Sequence, residues 1–195
     1  MANKIITPEF RGSFVHLDRP STMKGQPDSE PRYQMLCAFD ADDEFWDIME
    51  DAVEQAAKEK FGKVPPKFKS PIKDGDDEEY DNLKGCLYFN ASNSRKPGVV
   101  DQGMSPVIDP EELYSGAWYR ASVNVWAWEH PTGGKGASVS LNNVMKIKND
   151  QRYDGGTAAQ DDFAGFAKKG ESGESGGRKK RRRGSSDDDD NSVLD

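Results

Sequence analysis

The segment Gly116–Lys148, GAWYRASVNVWAWEHPTGGKGASVSLNNVMKIK, limits the fold more than any other part of the chain. Successive side chains of a strand point to opposite faces, so a period of two marks a sheet with one buried side. Over Trp118–Trp128 one face collects Tyr119, Ala121, Val123, Val125 and Ala127, small and β-branched residues suited to a core. The other collects Trp118, Arg120, Ser122, Asn124, Trp126 and Trp128. A Gly-rich turn at His130–Gly136 folds a second strand, Ser138–Lys148, back against the first. Strict alternation there puts Val139, Leu141, Met145 and Ile147 on one face with Asn143. Ser140, Asn142, Lys146 and Lys148 share the other with Val144.

The rest of the chain supplies partners for this hairpin. Phe10–Leu17 and Arg32–Phe39 read as strands, separated by a loop rich in Pro, Gly and Ser. Asp40–Phe61 reads as an amphipathic helix with Phe45, Ile48, Met49, Ala52, Val53 and Ala56 as its apolar stripe. Gly62 and Pro65-Pro66 stop it. Leu83–Ser92 is a further strand, with Leu87, Phe89 and Ala91 on one face and Tyr88, Asn90 and Ser92 on the other. A basic turn, Asn93–Gly98, and a short helical signal at Asp109–Leu113 lead into the hairpin. This pattern predicts a mainly β protein, an OB-fold (a five-stranded Greek-key barrel) with one main amphipathic helix. After Asn149 order should fade. Residues 167–186 are dominated by Gly, Ser, Glu and the basic run Arg178–Arg183, and SSDDDDNSVLD follows. Such a composition cannot offset the entropy of ordering, so we expect a barrel domain over residues 1–156 and a disordered tail over 157–195.

The net charge of −8 seems to argue against an anionic ligand, but it is local. Residues 40–60 carry nine acids and two lysines, and residues 74–81 carry six acids and no base. Without those two windows, residues 1–167 go from −9 to +4. No run of 18 apolar residues exists, so no membrane span is expected. MANKIITPEF has no apolar signal region, so the protein is expected to stay in the cytosol. Cys37 and Cys86 lie in apolar strands and read as core thiols. With His16 and His130 they form no zinc spacing. Gly133–Ser138 lacks the phosphate-loop spacing, and no serine or cysteine sits in a nucleophile elbow. The acidic pairs Asp42-Asp43 and Asp76-Asp77 read as a solvated helix start and a solvated loop. Neither catalysis nor a metal or cofactor is expected.

What remains is a pattern of rings and cations. Exposed rings are costly unless something stacks on them, and bases of a single nucleic-acid strand stack on aromatic platforms while cations track the phosphates. Strand parity and turn position single out the rings Tyr33, Tyr88, Trp118, Trp126 and Trp128. The basic candidates are Arg11, Arg32, Lys67, Lys69, Arg95, Lys96, Arg120, Lys146 and Lys148, and the amides are Asn124 and Asn142. Each tryptophan has a second reading, as a cap buried under the helix at an open barrel end. The four carboxylates Asp187, Asp188, Asp189 and Asp190, with Val193 and Leu194 as an apolar tip, read as an acidic arm. Such an arm competes for a basic groove or docks on partners, or is a solubilising end. The basic run before it fits a nuclear-localisation signal, a phosphate contact or a partner for the aspartates.

The stretch GAWYRASVNVWAW … KGASVSLNNVMKIKND … GG resembles the C-terminal half of tailed-bacteriophage single-stranded-DNA-binding proteins. Their pattern is a W-x-R-A-S strand, a Gly-rich turn and an L-N-N-[VI]-x-K strand. Trp118, Arg120, Ala121, Ser122, Leu141, Asn142, Asn143, Val144 and Lys146 carry it here. FRGSFVHLDRP, RYQMLCAFD and the charged helix extend the likeness over roughly residues 4–156. The resemblance implies an OB-fold that coats single-stranded DNA in phage replication and recombination, in the host cytoplasm. The acidic tail implies contact with replication proteins. Monomer and dimer are both compatible with the sequence. The competing reading is an acidic protein-interaction module of the histone-chaperone type.

Overall fold

The computed structural model of the protein describes residues 4–22 and 28–153. The strands are β1 (Lys4–Ile6), β2 (Phe10–Arg11), β3 (Ser13–Ser21), β4 (Arg32–Asp40), β5 (Lys73–Asp74), β6 (Cys86–Asn93), β7 (Gly98–Val100), β8 (Trp118–His130) and β9 (Gly134–Lys148). The helix α1 spans Phe45–Phe61, between β4 and β6. The sheet runs β1-β8-β9-β6-β4-β3. Its main pairings are antiparallel except β6 with β9. β2 closes the ring. Phe10 and Arg11 pair with Tyr119 and Trp118 of β8, while Ser13 onwards pairs with β4. One stretch of chain thus pairs with β8 on one side and with β4 on the other, and five of the nine strands, β8-β9-β6-β4-β3, lie in the order expected of an OB-fold. Gly12 sits where the chain changes partner. A Cβ there would lie 2.7 Å from the Tyr119 ring, so only glycine passes.

The inward face of β8 is as the alternation predicts: Tyr119, Ala121, Val123, Val125 and Ala127 are all buried. The Tyr119 hydroxyl donates to the Tyr114 carbonyl at 2.9 Å, and burial pushes its pKa up. β9 departs from its predicted phase. Ser122 pairs with Asn143 and Val123 with Leu141, which leaves Asn142 without a partner on β8. This β-bulge inserts one residue and exchanges the faces as far as Lys146; a second shift, where Tyr119 pairs with Lys146 and Trp118 with Lys148, returns Lys148 to the outer face. Val144 and Lys146 are therefore buried, while Met145 and Ile147 are half-buried on the other side. The buried Lys146 ammonium ends 3.1 Å from the Glu112 carboxylate.

α1 packs Phe45, Trp46, Met49, Val53 and Ala56 into the same core. It begins five residues later than the sequence pattern suggests, because Asp40 ends β4. Trp46 replaces Ile48 in the buried stripe. Its indole N–H donates to the Asp40 carbonyl at 2.9 Å, whereas Ile48 is exposed. The Asp76-Asp77 side chains of the acidic segment 74–81 are exposed, as expected, but the segment is not an open loop. It folds back so that Leu83, Tyr88 and Leu36 form a second small core with Tyr80 and Ala38 against them. Cys37 is buried, whereas Cys86 is half-exposed at the start of β6, so only the first is a core thiol. Burial raises both thiol pKa values, helped at Cys86 by Asp40 and Asp76. Residues 150–153, inside the expected domain but past the point where order should begin to fade, are held on the barrel. Arg11 donates to the Gln151 carbonyl at 2.7 Å, and the Tyr153 amide donates to the Ser115 carbonyl at 3.0 Å. The sequence features assigned to the tail lie outside the described residues: the basic run Arg178–Arg183, the aspartates Asp187, Asp188, Asp189 and Asp190, and the tip Val193 and Leu194. No helix among the described residues is long and apolar enough to cross a membrane.

Candidate nucleic-acid interface

Residues directly opposite on paired strands point to the same face. The pairs Lys4–Asn124, Asn124–Ser140, Ser140–Ser92, Ser92–Gln34 and Gln34–His16 therefore lay one polar row across β1, β8, β9, β6, β4 and β3 on the outside of the barrel. At about 4.8 Å per strand the row is roughly 24 Å long. Its amides are pre-oriented. The Asn142 amide donates to the Asn124 carbonyl oxygen at 2.6 Å, and the Gln34 amide donates to the Ser21 hydroxyl at 2.7 Å. The bulge creates the first of these bonds, since Asn142 is the extra residue and reaches Asn124 from an unpaired position.

Trp126 lies one step along β8 from this row, opposite Ser138, and is 44% exposed. Trp128 follows, opposite Gly136, and is half-buried. A Cβ on Gly136 would sit 2.7 Å from the Trp128 ring and 2.9 Å from Lys69, so the indole rests on bare backbone. Lys69 is stitched in beside it: its amide donates to the Lys135 carbonyl and its carbonyl accepts from the Ala137 amide. Lys60 donates to the Ala127 carbonyl at 3.1 Å, and the Lys135 ammonium lies 4.6 Å above the Phe61 ring. The hairpin end is thus both basic and aromatic.

At the opposite end of β8 the environment differs. Trp118 is half-buried, its indole N–H donates to Asp150 at 2.7 Å, and the Lys148 ammonium lies 4.7 Å from its ring centre. The Asp150 carboxyl is held below its ordinary pKa by the Trp118 indole N–H first, then by the Gln151 amide, with Arg11 and Lys148 adding to the effect. Arg120 lies between the two ends and pairs with Glu9 at 3.4 Å. Trp118 and Trp126 lie eight positions apart, about 27 Å along an extended strand. The aromatic face is therefore a ladder with a ring at each end and amides in the middle.

The remaining sequence candidates divide. Arg32 begins β4 on the same face as Gln34, half-buried. Arg95 and Lys96 are exposed in the turn after β6, and Lys96 pairs with Asp18 at 2.7 Å. Three candidates are displaced. Tyr33 is half-buried and shares the inward parity of Met35 and Cys37. Tyr88 does face outward, but the acidic segment covers it and its hydroxyl donates to the Glu78 carboxylate. Burial first, and then that bond, raise its pKa. At 3% exposure it has no ring face to offer. Lys146 points inward past the bulge and is 7% exposed. Sequence reasoning missed Gln34, Ser92, Ser138 and Ser140. Small neutral residues carry no individual signal, and only strand pairing aligns them. Among the described residues no group of three or more His, Cys, Asp or Glu converges to hold a metal ion.

The β-sheet, with an amide-lined outer face and an exposed indole, is of the OB type. The chain belongs to the family of the single-stranded-DNA-binding protein of Enterobacter phage Enc34, whose family model matches residues 3–174. This agrees with the phage family that the hairpin motif resembles. The Enc34 protein solved in complex with single-stranded DNA is 26% identical, with a TM-score of 0.67 over 77% of this chain and 89% of that chain. The single-stranded-DNA-binding protein of bacteriophage T7 shares the fold, with a TM-score of 0.52 at 16% identity over 91% of this chain and 100% of that chain. Protein p50 of Acyrthosiphon pisum secondary endosymbiont phage 1 is 36% identical over 89 residues, 45% of this chain. The match spans about half, 47%, of that curated relative's length.

Proposed function

We propose that this chain is a non-catalytic single-stranded-DNA-binding protein that coats single strands in phage DNA replication, recombination or repair, in the host cytoplasm. The observation that carries the reading is the polar row of Asn124, Ser140, Ser92 and Gln34 beside the exposed Trp126. Amides and hydroxyls hydrogen-bond bases, an open indole stacks on them, and cations at the margins meet phosphates. Trp126 and Trp128 are the stacking rings, with Trp118 at the far end. Asn124 and Asn142 are the central amides, and Arg32, Lys69, Arg95, Lys96, Arg120 and Lys148 the phosphate contacts. Kinship with the Enc34 protein, solved with single-stranded DNA, supports the same reading.

Residues 1–156 form the binding domain in this proposal, and 157–195 a tail. Asp187, Asp188, Asp189, Asp190, Val193 and Leu194 act in the proposal as a polyanionic arm with an apolar tip. They compete with DNA for the face or recruit replication and recombination proteins. Titration of intrinsic tryptophan fluorescence with oligo(dT), against a duplex of equal length, tests the function. Saturable quenching by the single strand in preference to the duplex is expected. No quenching is the outcome an acidic protein-interaction module requires, and it refutes the proposal. A variant ending at Ser186 is expected to bind oligo(dT) more tightly, most clearly at low salt. Equal affinity removes competition from the role of the tail.

A further inference from the structure

At the Trp118 end of the outer face one carboxylate accepts from the Trp118 indole and the Gln151 amide and has two cations nearby. Asp150 Oδ2 accepts from the Trp118 indole N–H at 2.7 Å and lies 3.6 Å from Arg11 Nε. Lys148, directly opposite Trp118 on β9, places its ammonium over the same indole. Arg11 is preorganised independently of the Asp150 side chain. Its Nε donates to the Gly116 carbonyl at 3.0 Å, a terminal nitrogen donates to the Gln151 carbonyl at 2.7 Å, and the guanidinium stacks 4.6 Å above the Tyr153 ring. Asp150 lies beyond the end of β9 with its side chain 39% exposed, so the carboxylate can turn out to solvent without unpairing a strand. A phosphodiester oxygen and a carboxylate oxygen ask for the same surroundings: cations and N–H donors.

We infer that Arg11, the Trp118 indole N–H and Lys148 form a phosphodiester subsite, and that the Asp150 carboxylate occupies it in the free protein as a built-in competitor. The inference rests on the single-stranded-DNA reading above. Binding then exchanges one anion for another at this position, so the subsite adds little to affinity until Asp150 is neutralised. Neutralising it converts the exchange into a net phosphate contact.

The test compares Asp150→Asn with the unaltered full chain, using fluorescently labelled oligo(dT) at several salt concentrations. Asparagine keeps one oxygen for the indole N–H, removes the charge and gives up the oxygen that accepts from the Gln151 amide. The expected result is about threefold to tenfold tighter binding at low salt, with the slope of log affinity on log salt steeper by about 0.7. In a Lys148→Gln background the gain should shrink, the coupling of groups sharing one ligand. Asp51→Asn, an equal charge change on the exposed surface of α1, should give less than a twofold gain. Unchanged affinity and slope in Asp150→Asn, or an equal gain from Asp51→Asn, overturns the subsite while oligo(dT) binding by the unaltered chain leaves the functional reading standing. No binding by the unaltered chain overturns both.

Discussion

Trp126→Ala separates a binding ring from a structural one. The indole is 44% exposed, and its neighbour across the strand pair is Ser138, so its removal opens no core cavity. Loss of folding stability should stay within about 0.5 kcal/mol, the range of surface substitutions. Base–aromatic stacking is worth about 1–3 kcal/mol per base, which corresponds to a roughly 5- to 150-fold loss of affinity. Anisotropy of labelled oligo(dT) measures this without relying on the fluorescence of the mutated ring, and thermal melts check the fold. Trp46→Ala is the contrasting case. That indole is 4% exposed and packs edge-on against Phe39 and Phe89, so about 3–5 kcal/mol of stability should go. Trp126→Ala that binds within twofold of the unaltered protein, at unchanged stability, would refute the assignment of this ring as a platform.

Tyr88→Ala should destabilise the fold by about 3 kcal/mol, read by chemical denaturation, because Tyr88 fills the small core beneath the acidic segment. Oligo(dT) affinity per folded molecule should not change. Lys146→Met removes a buried cation while conserving volume, so stability should move by less than about 1.5 kcal/mol and the salt slope of DNA binding should stay constant. A reduced slope would show that Lys146 contacts phosphate after all. For Asp150 the sign follows from its lowered folded pKa. Its ionised form contributes stability above the unfolded value of about 3.9, and that contribution is lost as pH falls through the folded value. Melting temperatures of the unaltered protein and Asp150→Asn should therefore differ near neutral pH and converge below about pH 4.

Where the sequence and structure part, the cause is a packing contact that alternation and periodicity do not encode. The helical stripe illustrates this. Phe45, Met49, Val53 and Ala56 recur at helical spacing and are buried, but Trp46 and Ile48 flank that stripe on opposite sides. Which flank is covered depends on where α1 sits against the barrel, and the Asp40 carbonyl receives the Trp46 indole. Strand parity puts Tyr88 on the outward face, and the structure agrees. Whether an outward face meets water is a different question, decided by Leu83 and Glu78 folding back over it. The parity of β8 is regular along its whole length, because it is the straight partner in the hairpin.

The sequence by itself determined the hairpin, the mainly β class, the helix and the identity of the inward residues up to Leu141. Those properties follow from alternation and periodicity, which act between neighbours along the chain. Tertiary structure decided the bulge at Asn142, the inward turn of Lys146 toward Glu112, the cover over Tyr88 and the alignment of Gln34, Ser92 and Ser140 with Asn124. One extra residue reverses the side chains after it, here until a second shift at Ile147, and nothing in the local composition of LNNVMK fixes where it goes. Its placement depends on β7 pairing with β9 beyond it, from more than forty residues upstream.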